Sequence, residues 1–167
     1  MIALNLSDTV KASMIFNHLL KTGAVAILTE CMATLDPRYT KNVDRVQVAS
    51  FIRDFQREFY TEVELYRSRN PWSNAYASTY TGNYNLIKLN RRKLNRSIES
   101  ICGSIAHEWG HCLEYYMKTR FPVIEFNHGS NSPVDKDFTF QYQLGRAVKS
   151  HVGGLKHEIL RDLRIDE

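Results

Sequence analysis

The stretch His107-Glu108-Trp109-Gly110-His111 constrains this chain more than any other, because its residues make chemical sense together only on a helix. Residues four apart on a helix share a face about one turn from each other, so the two imidazoles can point at one metal ion. Zinc takes neutral imidazole nitrogen at about 2.0–2.1 Å. Glu108 stands roughly 100° round the helix from His107. There it flanks such an ion without ligating it and can accept a proton from a water that the ion has acidified. The ordinary alternative is a helix with two unrelated histidines and a solvated glutamate.

The surrounding pattern suits a helix. Ser97 is a good N-cap, although Ser100 is not the Glu of a full capping box. Ile98, Ile101, Ile105, Trp109, Cys112 and Leu113 supply a buried side, and Pro122 forbids continuation much beyond Lys118. Gly110 is expected to let a sheet pack closely against this helix, and Trp109 to pack in the core.

Elsewhere the chain alternates helical and extended signals. Ser7 or Asp8 can cap a helix to about Lys21, with Val10, Met14, Leu19 and Leu20 as its stripe and Gly23 as its stop. Ala24 to Cys31 is apolar, and periodicity does not decide between helix and strand. Asp36-Pro37 marks a turn. Val43, Val46, Phe51, Phe55 and Phe59 predict a helix from Asn42 to Phe59, and Thr61 to Tyr66 alternates like a strand. Ala75 to Tyr80 and Tyr84 to Leu89 read as two strands joined at Thr81-Gly82-Asn83. A polar loop spans Asn127 to Asp135. Phe140, Leu144, Ala147 and Val148 then predict a helix ended by Gly153-Gly154, with a short last helix from Leu155 to Leu163. This order predicts an α+β fold with a small, mostly antiparallel sheet.

At 167 residues the chain fits one domain, residues 1–167, without internal repeat or linker. Three cysteines without paired spacing indicate no disulfide framework and a reducing compartment. Cys102 and Cys112 are expected to be core thiols. The net charge of +4 is too small an excess to argue from alone. No stretch has the length of a membrane span, and no basic region precedes the first apolar residues, so a cytoplasmic protein is expected. Delivery to another cell as an effector would need a route the sequence does not advertise.

With this motif and element order the chain resembles the catalytic core of zincin metallopeptidases. The resemblance implies a strand at the sheet edge ahead of the motif helix that binds substrate in extended form. The matching stretch would be Tyr84 to Leu89. His107, Glu108 and His111, a gap of sixteen residues, then His128-Gly129 is also similar to SprT-like zinc proteases, which act on proteins attached to DNA. The aromatic those proteins carry soon after the His-Gly is absent at Ser132 and Pro133, and no zinc-ribbon cysteines follow. A further likeness is to small bacterial and phage-type putative metallopeptidases, through Asn90-Arg91-Arg92, His128-Gly129-Ser130-Asn131 and Tyr142-Gln143-Leu144-Gly145. Together these resemblances cover residues 84–148.

A catalytic zinc needs three protein ligands and one open position. Glu114 occupies the place where metzincin-type sites carry a glycine, so the compact metzincin variant is excluded. His128 is the leading candidate, set in a polar loop beside Gly129. Glu114 is the second, sharing the helix face of both histidines, with an orienting or surface role as its ordinary reading. Asp137 is the third: aspzincins use a downstream Asp followed by a Tyr, which Asp137 and Tyr142 loosely echo, without the Gly-Thr lead-in.

These residues imply a zinc-dependent metallopeptidase that hydrolyses a protein or peptide substrate, with Glu108 as base and Tyr142 as candidate stabiliser of the oxyanion. Lys88, Arg91, Arg92, Lys93 and Arg96 form a basic run: ordinarily a solvated face, otherwise a nucleic-acid or acidic-substrate contact. The competing readings are therefore an SprT-like protease working at DNA and, in another class, a non-catalytic zinc-binding interaction module. An intact Glu108 argues against the module, since a structural site has no use for a base.

Overall fold

The computed structural model describes residues 7–31, 40–41, 45–58, 60–70, 75–79, 85–120, 125–126 and 139–165. Ser7 opens α1 (Asp8–Lys21), its hydroxyl accepting from the Val10 N–H at 3.5 Å. Gly23, at φ +79°, turns the chain out in the left-handed region that suits glycine. The apolar run that periodicity left open follows as helix α2 (Ala24–Cys31). The buried stripe of α1 is Ala12, Ile15, Phe16, Leu19 and Leu20. Val10 lies off that face and is exposed, as is Val46 on α3 (Arg45–Glu58), which buries Val48, Ala49, Ile52 and Phe55 instead.

A short antiparallel pair joins β1 (Thr40–Lys41) to β5 (Glu125–Phe126). The main sheet has three strands in the order β2-β4-β3: β2 (Glu62–Tyr66), β4 (Leu86–Asn90) and β3 (Ala77–Thr79). The expected antiparallel pairing of β3 with β4 is there, the expected turn at Thr81-Gly82-Asn83 lying outside the described residues, but β2 runs parallel to β4, so the sheet is mixed. The strand expected at the edge therefore lies in the centre, and β3 takes an edge. The composition explains the order. Ile87 and Leu89 on β4 are fully buried, whereas Glu62 and Glu64 on β2 are exposed, which suits a strand with one open edge. Asn17 on α1 fixes the entry to β2: its side chain donates to the Thr61 carbonyl and accepts from the Thr61 N–H, both at 3.0 Å.

The motif helix is α4 (Ile98–Arg120), and α5 (Phe140–Asp162) packs along it. Gly153 and Gly154 do not end α5. Both face open space, while Val152, Ile159 and Leu160 stay buried on its inner side. Burial of that face outweighs the helix cost of about 1 kcal/mol per glycine. Trp109 is the centre of the core, edge-on to Phe16 at 6.0 Å and to Phe55 at 5.4 Å between centroids. Five helices and the three-stranded sheet thus form a mixed α+β structure among the described residues. No helix among them is long and apolar enough to cross a membrane.

Candidate active site

The motif helix is placed by what precedes it. Asn90, fully buried at the end of β4, donates through its amide to the Ala75 carbonyl at 3.0 Å and accepts from the Arg92 N–H at 3.2 Å. Its own N–H donates to the Tyr76 carbonyl at 2.9 Å. One side chain thus ties the approach to β3 to the 3-10 turn Arg91–Lys93 that leads into α4. On the other side, Gly103 of α4 and Gly145 of α5 cross so closely that a Cβ on either would lie 2.8 Å from the other's carbonyl oxygen. Gly110 serves the same contact. A Cβ there would meet Gln141 Cγ at 3.1 Å and Phe140 at 3.4 Å, so its small size admits α5 and not, as expected, the sheet.

The motif residues emerge between these walls. The rings of His107 and His111 lie 5.2 Å apart between centroids, at 76° to each other. A ring nitrogen about 2.0–2.1 Å from zinc puts its centroid about 3.2 Å from the ion, so centroids at that separation subtend roughly the tetrahedral angle. That centroid separation is compatible with one ion shared by the two rings. Glu108 is mostly buried beside β3. Burial pushes its carboxyl above the usual range, offset in part by His111 and by the Thr79 N–H that donates to it. Cys112, next to it, is a buried thiol in contact with the Thr79 hydroxyl at 3.1 Å, and burial pushes it up to about 11. Cys102, pushed up to about 12 by burial, is likewise a core thiol.

Tyr142 stands edge-on to His107, 4.5 Å between centroids, and lines the same cleft as His107 and Glu108. Glu114 is engaged elsewhere: it pairs with Lys118 at 2.8 Å, accepts from the Gln141 amide at 3.0 Å and approaches His111 Nδ1 at 3.7 Å. Burial raises its pKa, but His111 and Lys118 outweigh that and hold it below the usual carboxylate range. Its carboxylate is thus shared among Lys118, Gln141 and His111. Among the described residues no group of three or more His, Cys, Asp or Glu side chains could hold a metal ion. His128 and Asp137, the other candidates for a third ligand, lie outside the described residues.

Two concavities share Ala77 and Glu108 in their walls. One, of about 810 Å³, follows the first half of α4 and is lined by Tyr76, Arg96, His107, Glu108, Tyr142 and Lys149, among others. The second, of about 400 Å³, follows the next turns past His111, Cys112 and Glu114 to Lys118, with β3 as its wall. Compared with protein-family models, curated proteins and solved structures, the chain matches none.

Several site features escaped the sequence reading. The Thr79 N–H reaches Glu108 only through the hairpin register, which no local pattern encodes. Arg96 reads as part of a solvated basic run, yet it is half-buried, donating to Ser104 Oγ at 2.6 Å and the Ser100 carbonyl at 3.2 Å. Of that run, Lys88 pairs with Glu64 at 3.5 Å on the sheet, and Arg91 and Arg92 are exposed. The Gly145 of the Tyr-x-x-Gly stretch was the available signal for the helix crossing.

Proposed function

We propose that this chain is a zinc-dependent peptidase of the zincin type. The observation that carries the reading is the joint placement of His107, His111 and Glu108. The separation of the two ring centroids is compatible with one shared ion, and Glu108 lines both of the concavities that run beside β3. His107 and His111 would hold the zinc, with His128 as the sequence's leading candidate for the third ligand. A bound zinc supplies Lewis acidity, lowering the pKa of water and polarising a carbonyl.

The chain's own residues would do the rest. Glu108 takes the proton of the attacking water and passes it to the leaving amine. Its burial favours this, because a desolvated carboxylate holds a proton more readily than an exposed one. The Thr79 N–H fixes the carboxylate's direction. Tyr142, packed on His107, supports the developing oxyanion from the α5 side. The outer edge of β3 offers main-chain groups to an extended substrate beside Glu108, the role expected of Tyr84 to Leu89 and now taken by Ala77–Thr79.

Elemental analysis after zinc reconstitution tests the centre. About one zinc per chain is expected, lost in the His107→Ala/His111→Ala double variant, which should otherwise keep its helical circular dichroism. A chain that takes up no transition metal, or holds it as well without both histidines, contradicts the proposal.

A further inference from the structure

The groove is electrically lopsided about Glu108. On the α4 N-terminal side its lining includes Arg92, Lys93, Arg96 and Lys149, and Glu108 itself is the one carboxyl among the lining residues. None of those four cations pairs with a carboxylate among the described residues. On the other side Glu114 and Lys118 neutralise each other.

Arg96 is the most telling of the four. Its guanidinium packs over the Tyr76 ring at 4.8 Å from the centroid, and Lys93 Nζ lies 5.8 Å from the same centroid. Nη1 is used by Ser100 and Ser104, while Nε and Nη2 are buried with no hydrogen-bond partner. A guanidinium presents its donors in a fixed fork that matches a carboxylate, and a buried donor left unpaired is costly. Desolvation lowers the Arg96 pKa, offset in part by Tyr76.

We propose that the cationic half of the groove is a subsite for carboxylate side chains, so that the substrate is a peptide segment acidic on one side of the scissile bond. The inference rests on the peptidase reading. A peptide fits better than a nucleic acid, because the subsite is a cleft running alongside a sheet edge. Tyr76 and Arg96 both line this cleft, and a carboxylate on a flexible side chain can reach into a concavity where a phosphate fixed in a duplex backbone cannot follow. An extended peptide paired along β3 would place alternate side chains towards the groove at two-residue spacing.

The test uses full-length protein carrying Glu108→Gln, so that binding is read without turnover. The probes are fluorescent peptides with a run of glutamates at the amino or the carboxyl end, each against its glutamine counterpart, and a single-stranded DNA oligonucleotide. One of the two acidic peptides should bind on the order of tenfold or more tightly than its glutamine counterpart, with the advantage falling as salt rises. Arg96→Gln should abolish that preference. The Arg92→Gln/Lys149→Gln pair, both on exposed positions, should reduce it and carries the test if Arg96→Gln does not fold. Equal binding of acidic and neutral peptides overturns the proposal, as does DNA binding more tightly than either peptide through the same arginine. Wild-type protein on a mixed peptide library then separates the two readings. Cutting without acidic preference removes this subsite and leaves the peptidase. Arg96-dependent acidic binding without any cutting keeps the subsite and removes the peptidase.

Discussion

Glu114 lies a turn beyond His111, and two roles compete for it: ligand, or partner of the ligand. With Lys118 and Gln141 already on its carboxylate, we expect the second. Glu114→Gln should then weaken zinc binding by about 10–100-fold, the usual loss when an orienting partner goes, and His128→Ala should weaken it far more. Competition with a chromogenic chelator at fixed pH measures both. A Glu114→Gln loss equal to that of His111→Ala would make Glu114 a direct ligand, and tight binding by His128→Ala with loss in Asp137→Ala would move the third ligand to Asp137. The buried thiols give a second test at this scale. Desolvation disfavours the thiolate, so the folded chain holds Cys102 and Cys112 neutral until the pH approaches their raised values of about 12 and about 11. At mildly alkaline pH, iodoacetamide should label neither site until denaturant is added, as read by mass mapping of the peptides. Rapid labelling of either in the folded protein contradicts this packing.

The crossing of α4 and α5 is the element on which the site geometry depends, because it brings Tyr142 to His107. Gly103→Ala or Gly145→Ala would drive a Cβ into the opposing backbone carbonyl, which no side-chain rotation relieves. Each should cost about 1–3 kcal/mol in urea unfolding. Gly153→Ala and Gly154→Ala, with open space around both, should instead stabilise by up to about 1 kcal/mol each. The opposite signs of the two pairs form one prediction, and a cost at Gly153 or Gly154 like that at Gly103 would contradict the continuous helix. The same glycines mark what the sequence does and does not disclose. Local rules read Gly153-Gly154 as a stop, since propensity knows nothing of Val152, Ile159 and Leu160 continuing one buried face. The limits of α1, by contrast, are local: Ser7 caps it, Gly23 turns out of it, and both were legible.

Across the whole molecule, the legible parts are those whose signal lies within a few residues. The helical spacing of His107 and His111, the β3–β4 hairpin and the burial of Trp109 are of that kind. Strand order is not, because placing β4 between β2 and β3 depends on a crossover and on which strand best tolerates an open edge. That one choice moves the expected substrate edge from Tyr84 to Leu89 onto Ala77–Thr79 and brings the Thr79 N–H to Glu108. The parts of the site contributed by the sheet, α4 and α5 converge on that carboxyl. The most direct measurement is a comparison of new protein N-termini in a cell lysate treated with zinc-loaded wild type or with zinc-loaded Glu108→Gln. Wild type should generate new N-termini at specific bonds, and Glu108→Gln, retaining its zinc and its fold, should lose at least about 100-fold of that cleavage. The same N-termini at a similar rate from both proteins, or none above background from wild type, would contradict peptide hydrolysis through Glu108.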